Sequence, residues 1–536
     1  MLSVNLLPLL MLYAEIHYRF RFFLFSNYFK KEPEILIDLP HKTVSGKTLP
    51  LFLMVKDADK YPVEIMSIKF QFRLPNRAVI TKNRELNLRI SSRFFSKAFH
   101  FDFPSISGYC KVTAEIHYKI KGKIRYLIND NYILKEKRLY TYLNDNEELF
   151  SGSLQGDLHV HSSHTADQVE FGALPRDIRT AAIAMNQQFT ALTDHSYDLD
   201  DFEDNYLKND PELRKFKTMQ ADCTKNSDPA YVMINGQEVT VRNAENRNVH
   251  LLALDEPVFF EGKGDGAEDW LNRHSKYSVT ELAAQKSEQS ILIAAHPLTP
   301  TPFLEYFLIK RGEWQSSDLL HPDIKVWQIM NGEDEAGFRA GLHFWITQLL
   351  KGERKFIAAG NDAHGNFAVF RQIKLPMFSM IRAEKQLFGR WRTVVVNSDL
   401  NKSAILQKLT AGASYITDGP HLELTVSGVE NNQCAGLGEE ISVSDGQVIC
   451  NLVIKSSTYS GKISRVNLIY GETGSAKEIV TPINCDLAEH NYRISKKINF
   501  AKNGYLRVEI QTTAVDRFGK PALHQAFSNP VFIKRV

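Results

Sequence analysis

Histidines and carboxylates stand at the ends of several short apolar segments in the middle of this 536-residue chain. Ten of its seventeen histidines fall between His159 and His364. His159 and His161 are two residues apart in an apolar run, a spacing that turns both side chains to the same side of a strand. Neutral imidazoles and carboxylates are the ligands that suit Zn, Mn or Fe, and no thiolate is needed. The pattern therefore predicts a multinuclear divalent-metal centre.

The other candidate ligands occupy comparable places beside further apolar segments. They are His195 in Thr193-Asp-His, Glu238 after Gly236-Gln, His250 at the start of Val249-His-Leu-Leu-Ala-Leu, His296 at the end of Ile291-Leu-Ile-Ala-Ala-His, and Asp362 and His364 in Asp362-Ala-His. A carboxylate such as Glu238 can bridge two ions and hold between them a water whose pKa is strongly lowered. Any one histidine alone is better explained as a core or surface residue, but the whole series favours a metal centre. Asn331 follows another apolar segment and is expected to touch substrate.

Alternating strands and helices between residues 154 and 419 would position these side chains. The predicted strands are 154–160, 189–193, 231–234, 249–254, 291–295, 326–330 and 356–359, and the predicted helices include 174–185, 279–288 and 338–350. About seven such units suit a closed α/β barrel of parallel strands. In such a barrel the carboxyl ends of the strands meet at one face, where active sites are built.

The flanking sequence has a different pattern. Residues 34–148 are predicted to form short strands punctuated by turns, and strands return alone after residues 417–420, Thr-Asp-Gly-Pro. The predicted fold class is therefore α/β, with a barrel between two β-sandwich domains. The predicted domains are 1–150, 151–420 and 421–536. Because the connection at 417–420 is short, the last domain is expected to pack on the barrel.

Composition and charge limit the class of protein. A chain with 43% hydrophobic and 24% charged residues is not a disordered protein, a coiled coil or a collagen-like fibre. Its 65 basic and 62 acidic residues disfavour a dedicated nucleic-acid binder. Residues 1–150 hold 24 of the basic and 15 of the acidic residues. This excess of positive charge is compatible with an anionic ligand on that domain. Five scattered cysteines without a Cys-x-x-Cys pair argue against a disulfide framework or a cysteine zinc site.

The apolar run at residues 6–14 is too short to cross a bilayer, so no transmembrane segment is expected. It also lacks the basic start and the small-residue cleavage site of a signal peptide. A cytoplasmic location is therefore favoured, with a signal-like start as the alternative.

Taken together, the motifs resemble those of the PHP (polymerase and histidinol phosphatase) superfamily. The resemblance covers residues 154–420 and depends on His159-x-His161, Thr193-Asp-His195, Gly236-x-Glu238, His250, Ala295-His296-Pro and Asp362-x-His364. Residues 412–420, Gly-Ala-Ser-Tyr-Ile-Thr-Asp-Gly-Pro, and the strands after them are similar to the CehA/McbA-type branch. The resemblance implies a multidomain metallohydrolase with a distorted (β/α)7 barrel and usually three metal ions, Zn, Mn or Fe.

Carried over position by position, the resemblance implies a role for each candidate. The first metal would be held by His159, His161, Glu238 and Asp362, the second by Glu238, His250 and His296, and the third by His195, His364 and a residue from the loop after His161. The family usually has Ser-Asp-Gly in that loop, whereas this chain has Ser-Ser-His-Thr-Ala-Asp at 162–167. A one-residue insertion favours Asp167 as the missing ligand, with His164 as the alternative.

The expected activity is hydrolysis of a phosphorylated small molecule or a phosphodiester by a metal-activated hydroxide. Glu238, Asp362, His364 and Asn331 are the residues expected to act in catalysis. The same centre could hydrolyse another ester or an amide, because polarising a carbonyl needs the same Lewis acid. A second alternative is a non-catalytic protein that binds a polymer or a surface and uses the metals to stabilise its barrel.

Overall fold

The structure is a computed structural model that describes residues 32–103, 105–131, 139–165, 172–203, 205–264, 273–332, 335–368, 370–375, 379–383, 386–429, 433–483 and 489–536. Strands make up 47% of it and helices 14%, so the protein is a mixed α/β molecule built mostly of sheet. Asp167 and the apolar run at 6–14 lie outside the described residues. Within the ranges given above, no helix is both long and apolar enough to cross a membrane.

The N-terminal strands form two sheets over one apolar core. They are β1 (Glu34–Asp38), β2 (Lys42–Val44), β3 (Leu49–Lys56), β4 (Val63–Arg73), β5 (Val79–Ile90), β6 (Phe94–Phe101), β7 (Gly108–Ile120), β8 (Lys123–Ile128) and β9 (Leu139–Asp145). Strands β1, β3 and β6 make the first sheet, and β2, β9, β7, β4, β5 and β8 make the second. In β7, buried Val112, Ala114 and Ile116 alternate with more exposed residues, which is the period of a strand with one face in the core.

The central part mixes strands and helices. Its elements are β10 (Leu154–His161), α1 (Pro175–Ala184), β11 (Phe189–Leu192), α2 (Ser196–Leu199), β12 (Asp201–Phe202), β13 (Asn205–Asn209), α3 (Arg214–Lys225), β14 (Val232–Arg242), β15 (Asn248–Leu254), α4 (Val279–Ala283), β16 (Ile291–Ala295), α5 (Phe303–Leu308), α6 (Ser316–Leu319), β17 (Val326–Asn331), α7 (Glu335–Leu350), β18 (Phe356–Gly360), β19 (Ala363–His364), β20 (Phe370–Leu375), β21 (Ser379–Ala383), β22 (Arg392–Val395) and α8 (Lys402–Thr410).

The central strands are hydrogen-bonded in the order β18-β17-β16-β15-β14-β11-β10. Strand β19, two residues after β18, pairs with β10 at the other end of this series. The two ends therefore meet, and the amide of Asp362 donates to the carbonyl of His159 at 2.8 Å. A Cβ atom at Gly360 would lie 2.5 Å from the Cβ of His159, so glycine is what allows the strands to approach this closely.

The expectation of parallel strands throughout is wrong for one strand. Strand β15 runs antiparallel to both β14 and β16, whereas β10–β11, β11–β14, β16–β17 and β17–β18 are parallel pairs. Residues 243–247 join β14 to β15, and so short a connection can only make a hairpin, because a parallel pair needs a crossover of a dozen residues or more. As a consequence, the start of β15 lies where neighbouring strands end.

The C-terminal strands continue the same hydrogen-bonded sheet. They are β23 (Ser414–Thr417), β24 (His421–Gly428), β25 (Cys434–Ala435), β26 (Glu440–Val443), β27 (Gln447–Lys455), β28 (Lys462–Glu472), β29 (Ile479–Ile483), β30 (Asn491–Asn499), β31 (Gly504–Val515), β32 (Pro521–Ser528) and β33 (Val531–Arg535). The order β10-β22-β23-β32-β31-β28-β29 carries the sheet past position 420, and β25-β24-β27-β30 form a separate sheet. The rings of Phe338 in α7 and Phe527 in β32 are 4.9 Å apart, so the two regions also share an apolar contact.

Candidate metal centre

His159 and His161 lie at the end of β10 and are completely buried. Because side chains alternate along a strand, both point to the same side, and their Nε2 atoms are 3.2 Å apart. Leu158 and Val160, which alternate with them, belong to the apolar cores on the opposite side. The period of one strand therefore accounts for this pair.

Glu238 and His250 come from the two strands of the β14–β15 hairpin. In its register Glu238 is opposite Leu252, and Thr240 is opposite His250. Glu238 and Thr240 are two residues apart, so Glu238 and His250 are diagonal neighbours on one face of the hairpin. This arrangement needs the antiparallel register and brings together residues twelve positions apart.

The remaining four candidates follow the ends of parallel strands. They are His195 after β11, His296 after β16, and Asp362 and His364 after β18. His296 and Asp362 have positive φ angles of 31° and 53°, a region that costs a non-glycine residue about 1–3 kcal/mol. Backbone strain of this kind concentrates at functional sites, where the surrounding structure maintains it.

The carboxylate of Glu238 lies among five imidazoles and is 1% exposed. The contacts of its Oε2 are His159 Nε2 at 3.3 Å, His161 Nε2 at 3.3 Å and His195 Nδ1 at 2.9 Å, and those of its Oε1 are His250 Nδ1 at 2.6 Å and His296 Nε2 at 3.3 Å. The two oxygens face different imidazoles, which is the placement that a carboxylate bridging two cations requires.

The candidate ligands fall into three groups, in each of which the ligand atoms lie within 4.8 Å of one another. The groups are His159, His161, Glu238 and Asp362; then Glu238, His250 and His296; then His161, His195 and His364. Glu238 belongs to two groups, and so does His161. The three positions are therefore adjacent and share ligands.

Gln328 determines which nitrogen of His159 faces the centre. The amide nitrogen of Gln328 donates to Met330 O and, at 3.1 Å, to Asn331 Oδ1, so its amide oxygen is the atom 2.9 Å from His159 Nδ1. Because an amide oxygen only accepts, Nδ1 carries a proton and Nε2 points at Glu238. This orientation is the one that a metal ligand needs.

Two further contacts orient imidazoles in the same way. The hydroxyl of Thr165 donates to Asp194 Oδ1 at 2.8 Å, which leaves its oxygen to accept from His161 Nδ1 at 3.4 Å. In His364, Nδ1 lies 3.0 Å from the carbonyl oxygen of Asp362, which can only accept. Both rings therefore turn Nε2 toward the cluster.

Electrostatics favour a cation at this centre. Burial by itself would lower the pKa of His159, but the carboxylates of Glu238 and Asp362 outweigh burial and raise that pKa to about 9. Burial would likewise raise the pKa of both carboxyls, yet the surrounding imidazoles hold each pKa well below its ordinary value. The centre thus keeps two negative charges and attracts a proton, which a divalent cation can replace.

We expect the metal-free protein to lose stability as the pH rises from 6.5 to 9. The pKa of His159 is about 9 in the folded chain against an ordinary 6.5, so its contribution is complete below pH 6.5 and disappears as the pH passes 9. One pKa unit corresponds to about 1.4 kcal/mol, which gives about 3 kcal/mol in total. Urea unfolding of chelator-treated protein at both pH values measures this loss. If a His159→Asn variant shows the same loss, the loss does not come from deprotonation of His159.

The donor set fits Zn, Mn or Fe. It comprises six imidazoles and two carboxylates, and it needs no thiolate. The group of His161, His195 and His364 holds imidazoles only among the described residues. A carboxylate from the loop that contains Asp167 would complete it, but that residue lies outside the described ranges.

All the predicted ligands except Asp167 are brought together. His164, the alternative to Asp167, belongs to none of the three groups, and its Nε2 lies 3.1 Å from Asp222 Oδ2. The side-chain nitrogen of Asn331 donates to Asp362 Oδ2 at 3.2 Å, so Asn331 orients a candidate ligand. Contact of Asn331 with substrate stays a prediction.

Sequence reasoning missed four side chains around the centre: Gln328, Thr165, Gln386 and Arg311. Gln328 could have been recognised from the sequence, because it is the one amide in the otherwise apolar segment 326–330. Gln386 donates to Asp362 Oδ2 at 3.1 Å, and Arg311 donates to His250 Nε2. Neither stands in a recognisable pattern, since both reach the centre through long-range contacts.

No family model and no curated protein matches this chain. Weakly similar solved structures include pT26-6p, with 6% identity over 94% of this chain and 64% of that chain and a TM-score of 0.19. Trypsin-activated alpha-2-macroglobulin from Escherichia coli has 9% identity, coverages of 95% and 24% and a TM-score of 0.15. A cycloisomaltooligosaccharide glucanotransferase from Paenibacillus sp. has 8% identity, coverages of 92% and 71% and a TM-score of 0.18. The chain thus spans less than two thirds of the first two, and scores this low carry no functional argument.

Proposed function

We propose that this protein is a metal-dependent phosphoesterase of the PHP type, in the CehA/McbA-like branch. The observation that carries the proposal is the placement of Glu238, whose two oxygens lie 2.6–3.3 Å from separate sets of imidazoles. A carboxylate in this position suits two adjacent cations. Paired cations are a common means of stabilising both the attacking and the leaving oxygen in phosphoryl transfer.

In this proposal residues 151–420 correspond to a distorted (β/α)7 barrel, and residues 1–150 and 421–536 correspond to β-sandwich domains. The meeting of β19 with β10 supports closure of the central strands. The antiparallel β15 would be the main distortion. The two N-terminal sheets over a common core support the first sandwich.

The chain offers ligands for up to three ions. When bound, the ions would polarise the phosphoryl oxygens and acidify a water molecule. Glu238 and Asp362 would hold them with negative charge, and the six histidines would hold them with neutral nitrogens. Asn331 and Gln386 both donate to Asp362 Oδ2, which keeps its Oδ1 directed at His161 Nε2, 3.0 Å away.

A cleft of about 220 Å³ beside the centre suits a small phosphorylated molecule or the end of a phosphodiester. Its lining includes His250, His296, Asp362, Asn331 and Arg311. The guanidinium of Arg311 would favour an anionic substrate over a neutral ester. The proposal also includes an anionic ligand that binds the basic N-terminal domain. It further includes a cytoplasmic location for the protein.

Metal analysis combined with model substrates tests the proposed function. The purified chain loaded with Mn²⁺ or Zn²⁺ is expected to bind two to three ions and to hydrolyse p-nitrophenyl phosphate or bis(p-nitrophenyl) phosphate. Turnover of p-nitrophenyl acetate alone would indicate an ester hydrolase. Stoichiometric metal without turnover of any of the three esters would indicate a metal-stabilised binding protein.

A further inference from the structure

Arg311 contacts a candidate metal ligand, and this contact cannot persist once the metal required by the proposed function is bound. Its Nη1 donates to His250 Nε2, while the other ring nitrogen, Nδ1, lies 2.6 Å from Glu238 Oε1. A guanidinium has donors only and stays protonated. In the structure, Nε2 therefore accepts, and Nδ1 carries the proton that it donates to Glu238.

The backbone holds Arg311 in this place. Asn248, at the start of β15, donates to the carbonyl of Lys310 at 2.9 Å and accepts from the amide of Gly312 at 2.9 Å. A Cβ atom at Gly312 would lie 2.5 Å from the Cβ of Arg247, so the segment packs closely against the β14–β15 turn. Arg311 is thus tied to β15 two residues before His250, on a fixed strand-like segment.

A cation bound by Glu238, His250 and His296 would reverse the roles of the two nitrogens of His250. The atom aimed at Glu238 is Nδ1, and an imidazole binds a metal through an unprotonated nitrogen. The ring proton must then be on Nε2, where it meets the guanidinium of Arg311. Two donors cannot share a hydrogen bond, so filling this position breaks the contact with Arg311.

A displaced guanidinium would turn into the cleft beside the centre, because Arg311 already lines it. Arg311 lines the same cleft as Glu305, Asn331 and His296. A phosphoryl group offers coplanar oxygens that match the guanidinium in a bidentate pair. An anion that enters the cleft beside His296 would therefore bind the guanidinium of Arg311.

We propose that Arg311 is a specificity-determining residue, which selects substrates with an anionic group beside the His250–His296 position. Its guanidinium couples binding of that anion to filling of the position by a metal ion. The inference rests on the proposed function, since it requires a metal there. Coupling between two ligands is reciprocal, so the anion must tighten the metal as much as the metal tightens the anion.

The experiment measures free Mn²⁺ by electron paramagnetic resonance while the full-length, metal-depleted chain is titrated, with and without methylphosphonate. In the wild type, methylphosphonate is expected to tighten the weaker Mn²⁺ site by roughly tenfold, within the usual range of coupling. Arg311→Met removes the opposing donor, so its anion-free affinity for Mn²⁺ should rise and its response to methylphosphonate should fall severalfold. Arg311→Gln gives a second neutral variant with the same expected result.

Lys310→Met is the matched control. Lys310 is the adjacent residue, contacts His274 at 3.0 Å, and carries the same charge. A reduced methylphosphonate response in both Arg311 variants but not in Lys310→Met supports the inference. An unchanged response in the Arg311 variants overturns it, even if the enzyme hydrolyses phosphoesters. A wild type that binds no Mn²⁺ would instead refute the proposed function.

Discussion

Glu238→Gln is expected to abolish hydrolysis and to release bound metal. Burial alone would raise the pKa of Glu238, but His250, His159 and His195 hold that pKa well below its usual range, so the side chain is an anion. A neutral amide bridges two cations poorly. Its NH2 group would also face the imidazole nitrogens whose lone pairs must bind the metal. We expect kcat to fall by at least about 100-fold and the metal content to fall by at least one ion per chain.

The measurement is the metal-to-protein ratio together with turnover of an aryl phosphate. Glu256→Gln is the matched control, because Glu256 is also 1% exposed and accepts hydrogen bonds from Ser287 and Val258 at the opposite end of β15. That variant reports the cost of losing a buried carboxylate without loss of metal. Unchanged metal content and rate in Glu238→Gln would show that Glu238 is not a metal ligand of this centre.

Glu147→Gln is expected to lower the free energy of unfolding by about 3–5 kcal/mol, the cost of removing one partner from a buried ion pair. Glu147 is buried with three partners: Lys42 Nζ at 2.5 Å, Arg392 Nη1 at 2.5 Å and His421 Nε2 at 2.7 Å. Burial would raise the pKa of Glu147, but Arg392 and Lys42 hold it well below its ordinary value. The glutamine would remove the carboxylate partner of Arg392 and would leave Lys42 with Asp145 Oδ2, at 3.2 Å, as its counter-charge.

The partners of Glu147 come from all three parts of the chain. Lys42 is in β2, Arg392 in β22 and His421 in β24. We therefore expect Glu147→Gln to loosen the contacts between these parts, seen as a lower urea midpoint and faster proteolysis between them. Glu148→Gln is the control, because the side chain of Glu148 is 81% exposed, and its effect should stay within about 0.5 kcal/mol. Equal midpoints for the two variants would contradict this role for Glu147.

Part of the fold and of the centre could be predicted from local pattern. His159 and His161 share a side because strands have a period of two, and their spacing already shows it. Alternation of apolar residues likewise identifies strands such as β7 before any partner is known. Residue type was also sufficient to favour a borderline divalent metal, since imidazole and carboxylate have the same chemistry wherever they lie.

Distances between elements could not be predicted in this way. Glu238 reaches His250 because a short turn makes β15 antiparallel, whereas periodicity alone had suggested parallel strands. Arg311 and Gln386 reach the centre through contacts with residues 61 and 24 positions away, and Glu147 meets partners more than 100 positions away. Periodicity states which side of an element a residue is on. Which elements are neighbours, and in what register, depends on connection lengths and on how the apolar faces are buried, which are properties of the whole folded chain.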